Sequence, residues 1–104
     1  MIIVTTNDMP GKKVTEVKGF VQGSTVKAKH VGRDIGASFK TLVGGEIRGY
    51  SDLMKEARNE ALGRMVKEAE KLGATAVIGM RYQTAQIMSS AAEVVAYGTA
   101  VIVE

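Results

Sequence analysis

The clearest pattern in the chain is an apolar stripe at helical spacing. Ile47, Tyr50, Met54, Ala57, Ala61, Met65, Ala69 and Leu72 recur every three or four positions, which places them on one face of a helix over 47–72. Lys55, Glu56, Asn59, Glu60, Arg64, Lys67, Glu68 and Lys71 fill the other side. Glu60 with Arg64, and Arg64 with Glu68, are opposite charges one turn apart. Glu56 with Glu60, and Lys67 with Lys71, are like charges at the same spacing, so the pairs nearly cancel. The stripe decides the helix. Ser51 lies near its start, and Gly73 suits the position just past its end.

Around that helix the chain reads as strands. Ile2 to Thr5 is a short apolar run closed by Asn7-Asp8-Met9-Pro10-Gly11, a string of turn formers. From Val14 to Ala28 the pattern alternates over part of its length, with Val14, Glu16, Lys18 and Phe20 on one face. Gly23-Ser24 interrupts it, which predicts two strands or one bent strand with a bulge. Over 29–45, Ile35, Phe39, Leu42 and Val43 are spaced for a short helix, with Asp34 as N-cap and Gly44-Gly45 as its stop. Ala74 to Ile87 and Ala92 to Val103 are apolar and rich in β-branched residues, joined through Met88-Ser89-Ser90-Ala91 as a hairpin. The expected fold is α+β: a small, mainly antiparallel sheet packed on one long helix plus a short one. All 104 residues form one domain.

The last strand changes the picture. Val94 to Val103 is apolar on both faces, yet one helix layer covers only one face of a sheet. The other face is expected to be buried by a second copy of the chain.

Composition narrows the function classes. Fourteen basic residues interleave with eleven acidic ones for a net charge of +3, leaving no basic run to follow a phosphate backbone. Nucleic-acid binding through Lys27, Lys29 and Arg33 is therefore the weaker expectation. Cysteine is absent, which removes disulfides, thiolate ligands and cysteine nucleophiles. The N-terminal segment turns polar too early for a secretory signal, and no window is apolar enough to span a membrane. The expected compartment is the cytoplasm.

Thr5-Thr6, Gly19, Gly23, Arg33-Asp34, Ala37, Val43-Gly44-Gly45, Tyr50, Ala57-Arg58, Leu72-Gly73-Ala74, Ala76-Val77-Ile78-Gly79 and Tyr97-Gly98-Thr99-Ala100-Val101 occur in an order that resembles the YbjQ-like family from end to end. The resemblance implies an α+β subunit assembled as a ring, a homopentamer, with no established reaction. The family's label suggests heavy-metal binding. Many members carry acidic residues in the strand after Gly79, whereas Met80-Arg81-Tyr82-Gln83-Thr84-Ala85-Gln86 contains no carboxylate here.

Few residues offer site chemistry. His30 is the only histidine, and with Asp34 it offers an imidazole and a carboxylate to a metal ion; a surface histidine in a basic stretch is the favoured reading. Arg33, Asp34, Tyr50 and Arg58 are the candidate polar groups for a ligand at a subunit boundary. Arg81 lies among apolar strand residues and needs an acidic partner, for which Glu93 is the expected choice. The six methionines are scattered and read as core filler. Gly44-Gly45 lacks the Gly-Lys-Ser/Thr of a phosphate loop. A lone histidine with no cysteine leaves no legible catalytic triad. The reading is an oligomeric binding protein, with a small ligand or metal at subunit interfaces or on the ring axis. The alternative is an enzyme with a polar site between subunits.

Overall fold

The structure is a computed structural model that describes residues 1–28 and 45–104. The short helix expected over 29–45 lies outside them, apart from Gly45. Strands β1 (Ile2–Ile3) and β2 (Val14–Ala28), helix α1 (Gly45–Lys71), and strands β3 (Ala76–Met88) and β4 (Ala91–Val103) follow in chain order. The sheet has the order β1-β3-β4-β2, with β1 parallel to β3 and the other pairings antiparallel. The α+β class and the long helix are as the apolar spacing predicts.

Helix α1 ends where the sequence says it should. Gly73, at φ +78, donates its N–H to the Glu70 carbonyl, and Ala74 donates to Ala69. That pair of bonds closes the last turn, and only glycine takes such a φ without strain. The helix buries Ala57, Ala61, Met65 and Ala69 completely against Val21, Val77, Met80, Val94, Ala96 and Ala100 of the sheet. Each fully buried methionine or valine contributes about 1.5–3 kcal/mol. Alanines on the stripe let the helix axis approach the sheet closely.

Gly23 shows how close. A Cβ built there would run into the Met65 nitrogen and the Ala61 carbonyl oxygen, and would stand 2.7 Å from the Arg64 carbonyl carbon. The glycine marks helix contact rather than a break: β2 pairs with β4 through it, Gly23 opposite Ala96. The irregularities sit earlier, between Val14 and Glu16 and between Val17 and Gly19, the latter at a glycine with φ +123. Each inserts one residue. Val14, Val17 and Phe20 therefore oppose Val103, Val101 and Thr99 on the side away from α1, and the simple alternation expected from Val14 to Phe20 does not hold.

A third register shift, between Ile78 and Arg81, surrounds Gly79 at φ +61. It returns Met80 to the helix side with Val77, while Ile78 packs on the opposite face. There Met9 closes over Ala76 and Val101, flanked by Val4, Val14 and Val103. The chain thus covers one end of its own far face with the segment after β1. Further along, Phe20 (64% exposed) and Tyr97 lie with ring centroids 6.4 Å apart, and Val26 is also exposed.

Candidate functional site

The described residues place a polar cluster at the middle of α1 and a cavity beside its first half, and a further open hollow lies between Phe20 and Leu72. Strand β2 passes beneath the helix with Thr25 and Lys27 facing it. Lys27 Nζ lies 2.9 Å from Glu60 Oε2 and 3.4 Å from Glu56 Oε1, and the Thr25 hydroxyl donates to Glu60 at 3.1 Å. Arg64, expected to pair with Glu60 along the helix, instead donates to the Ser24 carbonyl at 2.5 Å. Side chains one turn apart on the helix have been claimed by the strand below.

The hydrogen bond from Lys27 is the main reason that the Glu60 carboxyl titrates below its ordinary value of 4.5; burial opposes the shift, while Thr25 and Arg64 assist. The same bond to Glu60 raises Lys27 above 10.5, against burial and with help from Glu56. A lowered carboxyl stabilises the fold above its unfolded value and loses that contribution as pH falls through the folded one; a raised ammonium contributes below its unfolded value and fades as pH rises further. The clamp between β2 and α1 should therefore hold at neutral pH, weaken below about pH 4.5 and weaken again above about 10.5. In Glu60→Gln, the urea midpoint should change less between pH 7 and pH 3.5 than in the parent. An equal change in both would show that the clamp carries none of the acid sensitivity.

The cavity, about 270 Å³, opens beside this cluster, under the turn of the β3–β4 hairpin. Leu53 and Met54 of α1 form one wall, Thr84 and Gln86 of β3 another, and Ser90 lies at the turn. Lys27 and Tyr50 also reach it.

Of the expected ligand residues, Tyr50 is the one that lines this cavity. Arg58 is exposed on α1, about 12 Å further along the axis, and does not join Tyr50 there. Arg33, Asp34 and His30 lie outside the described residues. Among the described residues, no three of histidine, cysteine, aspartate and glutamate come together as metal ligands. Arg81 does not meet Glu93 within the chain; its guanidinium donates to the Thr5 and Met80 carbonyls, each at 2.8 Å. Register explains this, because Arg81 stands opposite Tyr97, whereas Glu93 lies four residues away along β4, opposite Ala85 and Val26. What sequence reasoning missed is the group at the hairpin end: Thr84, Gln86 and Ser90 are ordinary strand and turn residues, and only the placement of α1 joins them.

No helix among the described residues is long and apolar enough to cross a membrane. A family model described as "Putative heavy-metal-binding" matches residues 1–104. The chain is 62% identical over 104 residues to a UPF0145 protein of Thermotoga maritima, covering all of this chain and 98% of that one. It is 59% identical over 104 residues to a UPF0145 protein of Clostridioides difficile, covering all of this chain and 93% of the relative. A crystal structure of a DUF74-family protein of unknown function from Pediococcus pentosaceus aligns over the whole chain and 98% of its own, with TM-score 0.63 and 20% identity, which shows a shared fold. Matched from its first residue to its last, the chain belongs to the YbjQ-like family, uncharacterised in function and labelled for heavy-metal binding.

Proposed function

We propose that this protein is a cytoplasmic, self-associating binding protein whose copies close into a ring, five being the number that the family resemblance implies. One observation carries the reading. From Arg81 to Met88, strand β3 is exposed along its whole length, β1 having ended beside Val77. Tyr82, Ile87 and Met88 stand in solvent on this limb. Strand β2, at the other side of the sheet, also has an open edge among the described residues. Open edges invite pairing with another chain, and natural proteins cover or blunt them. Two unlike edges on opposite sides of one sheet suit a head-to-tail contact, which repeats until it closes. The exposed Phe20 and Val26 on the far face add apolar surface to the same contact.

Ligand binding, at a subunit boundary or in the cavity of each subunit, is the activity that this frame supports. A catalytic site using Arg33, Asp34, Tyr50 and Arg58 has less behind it, since Arg58 stands apart from Tyr50. A metal on the ring axis would need His30 and Asp34 from several copies. Sedimentation velocity over a hundredfold dilution tests the proposal: one fast species at high concentration is expected, and a single slow species throughout would refute it.

A further inference from the structure

We infer that the cavity beneath the β3–β4 turn binds an uncharged molecule about the size of a single ring, apolar over one face and bearing an amide or hydroxyl. This rests on the binding half of the reading above, and because Thr84, Gln86 and Met88 also belong to the β3 limb proposed for the subunit contact, oligomer mass is followed alongside binding. The space of about 270 Å³ has apolar walls from Leu53, Met54 and Met88 and neutral polar groups from Thr84 and Gln86. At the liquid's share of about 30 Å³ per molecule it would hold about nine waters, so a single ring with one substituent is enough to fill it.

Charge selects the class. Lys27, the one cation at the cavity among the described residues, is already held by Glu60 at 2.9 Å and Glu56 at 3.4 Å. An anion would have to break that pair and face both carboxylates, while a cation would meet the ammonium. Neither is favoured over a neutral guest. Polarity selects further, because a polyol is polar all round and would bury hydroxyls against Leu53, Met54 and Met88 without partners. Methionine side chains, in contrast, pack well against ring edges.

Ser90 supplies an independent mark. It is 6% exposed and lines the cavity, and its hydroxyl oxygen is buried with no hydrogen-bond partner. Among the described residues it is the one buried side-chain polar atom left so. Buried hydroxyls are nearly always satisfied, and turning about one side-chain torsion would offer this one to a guest's amide or hydroxyl.

Methyl-labelled methionine NMR on the whole protein provides the test, with benzamide as probe and benzoate and glycerol as charged and polyol controls. Benzamide should move the Met54 and Met88 signals saturably, while benzoate and glycerol leave them in place. Ser90→Ala should weaken the benzamide response by about tenfold, the size expected for one hydrogen bond, while its urea midpoint stays level or rises. Ala92→Leu, which narrows the cavity, should remove the response while the protein remains folded. Absence of a saturable shift with benzamide, or an equal one with benzoate, would overturn the inference. So would benzamide binding that both substitutions leave unchanged. Oligomer mass measured on the same samples separates this result from the fate of the ring.

Discussion

Replacing Tyr82 and Ile87 together with lysine is expected to convert the assembled protein into monomers that remain folded. Both side chains are exposed, 41% and 52% respectively, so the isolated subunit loses little by the change. At a subunit contact the same lysines must be desolvated without partners, which costs several kcal/mol. With about 1.4 kcal/mol to each factor of ten, the pair should weaken each contact by about a hundredfold or more. Circular dichroism should show unchanged helix and strand content. The melting temperature of the parent should rise with concentration, as it does whenever association stabilises the native state, and that of the double variant should not. Lysine substitutions that leave the mass unaltered would place the contact elsewhere on the subunit.

Substitution of Gly23 should be the most damaging single change to the fold itself. A side chain there meets helix backbone, at Met65, Ala61 and Arg64, rather than the tip of a flexible group. Overpacking of a core costs typically about 1–3 kcal/mol, and Gly23→Ala should reach the top of that range because α1 must lift from β2 as a unit. Gly23→Val should exceed it and leave little of the roughly 5–15 kcal/mol that holds a small domain together. Gly63 provides the contrast. It lies within α1, and a Cβ added there would have open space for 4 Å around it. Gly63→Ala should therefore stabilise by about 0.5–1 kcal/mol through helix propensity. Urea unfolding of the two alanine variants should show midpoints displaced in opposite directions from the parent. Equal displacement would mean that Gly23 is not a contact glycine.

The contrast between these two glycines shows what is legible in the chain. Periodicity finds α1 and its buried stripe, because a helix in contact with one layer repeats its environment every 3.6 residues. The hairpin and the stop at Gly73 are legible for similarly local reasons. Gly23 is not, since a glycine that breaks a strand and one that admits a helix look the same in one dimension. The bulges at Gly19 and Gly79 are hidden for a related reason. Each adds one residue and exchanges the faces beyond it. Alternation counted from Val14 therefore misassigns faces along β2, and alternation along β3 puts Arg81 on the face of Val77, whereas it stands opposite Tyr97 beyond the bulge and donates to the Thr5 and Met80 carbonyls.

The apolar character of β4 on both faces does demand cover, but part of that cover is internal. Met9, on the segment that folds back after β1, buries Val101 together with Val4 and Val14, and Val103 is partly covered beside them. What is left for a partner is the β3 limb and the surface around Phe20 and Tyr97, a smaller and more specific area than the whole face. The site is less legible than the fold. Tyr50 reaches the cavity and Arg58 does not, although both lie on the same helix, because a binding wall depends on which neighbour stands opposite each turn.

Native mass spectrometry of the purified protein bears most directly on the central claim that the chain works as an assembled ring. The expected result is a species at an integral multiple of 11.1 kDa, five copies by family resemblance, which the lysine pair at Tyr82 and Ile87 reduces to one copy. A parent protein found only at 11.1 kDa at micromolar concentration would contradict it.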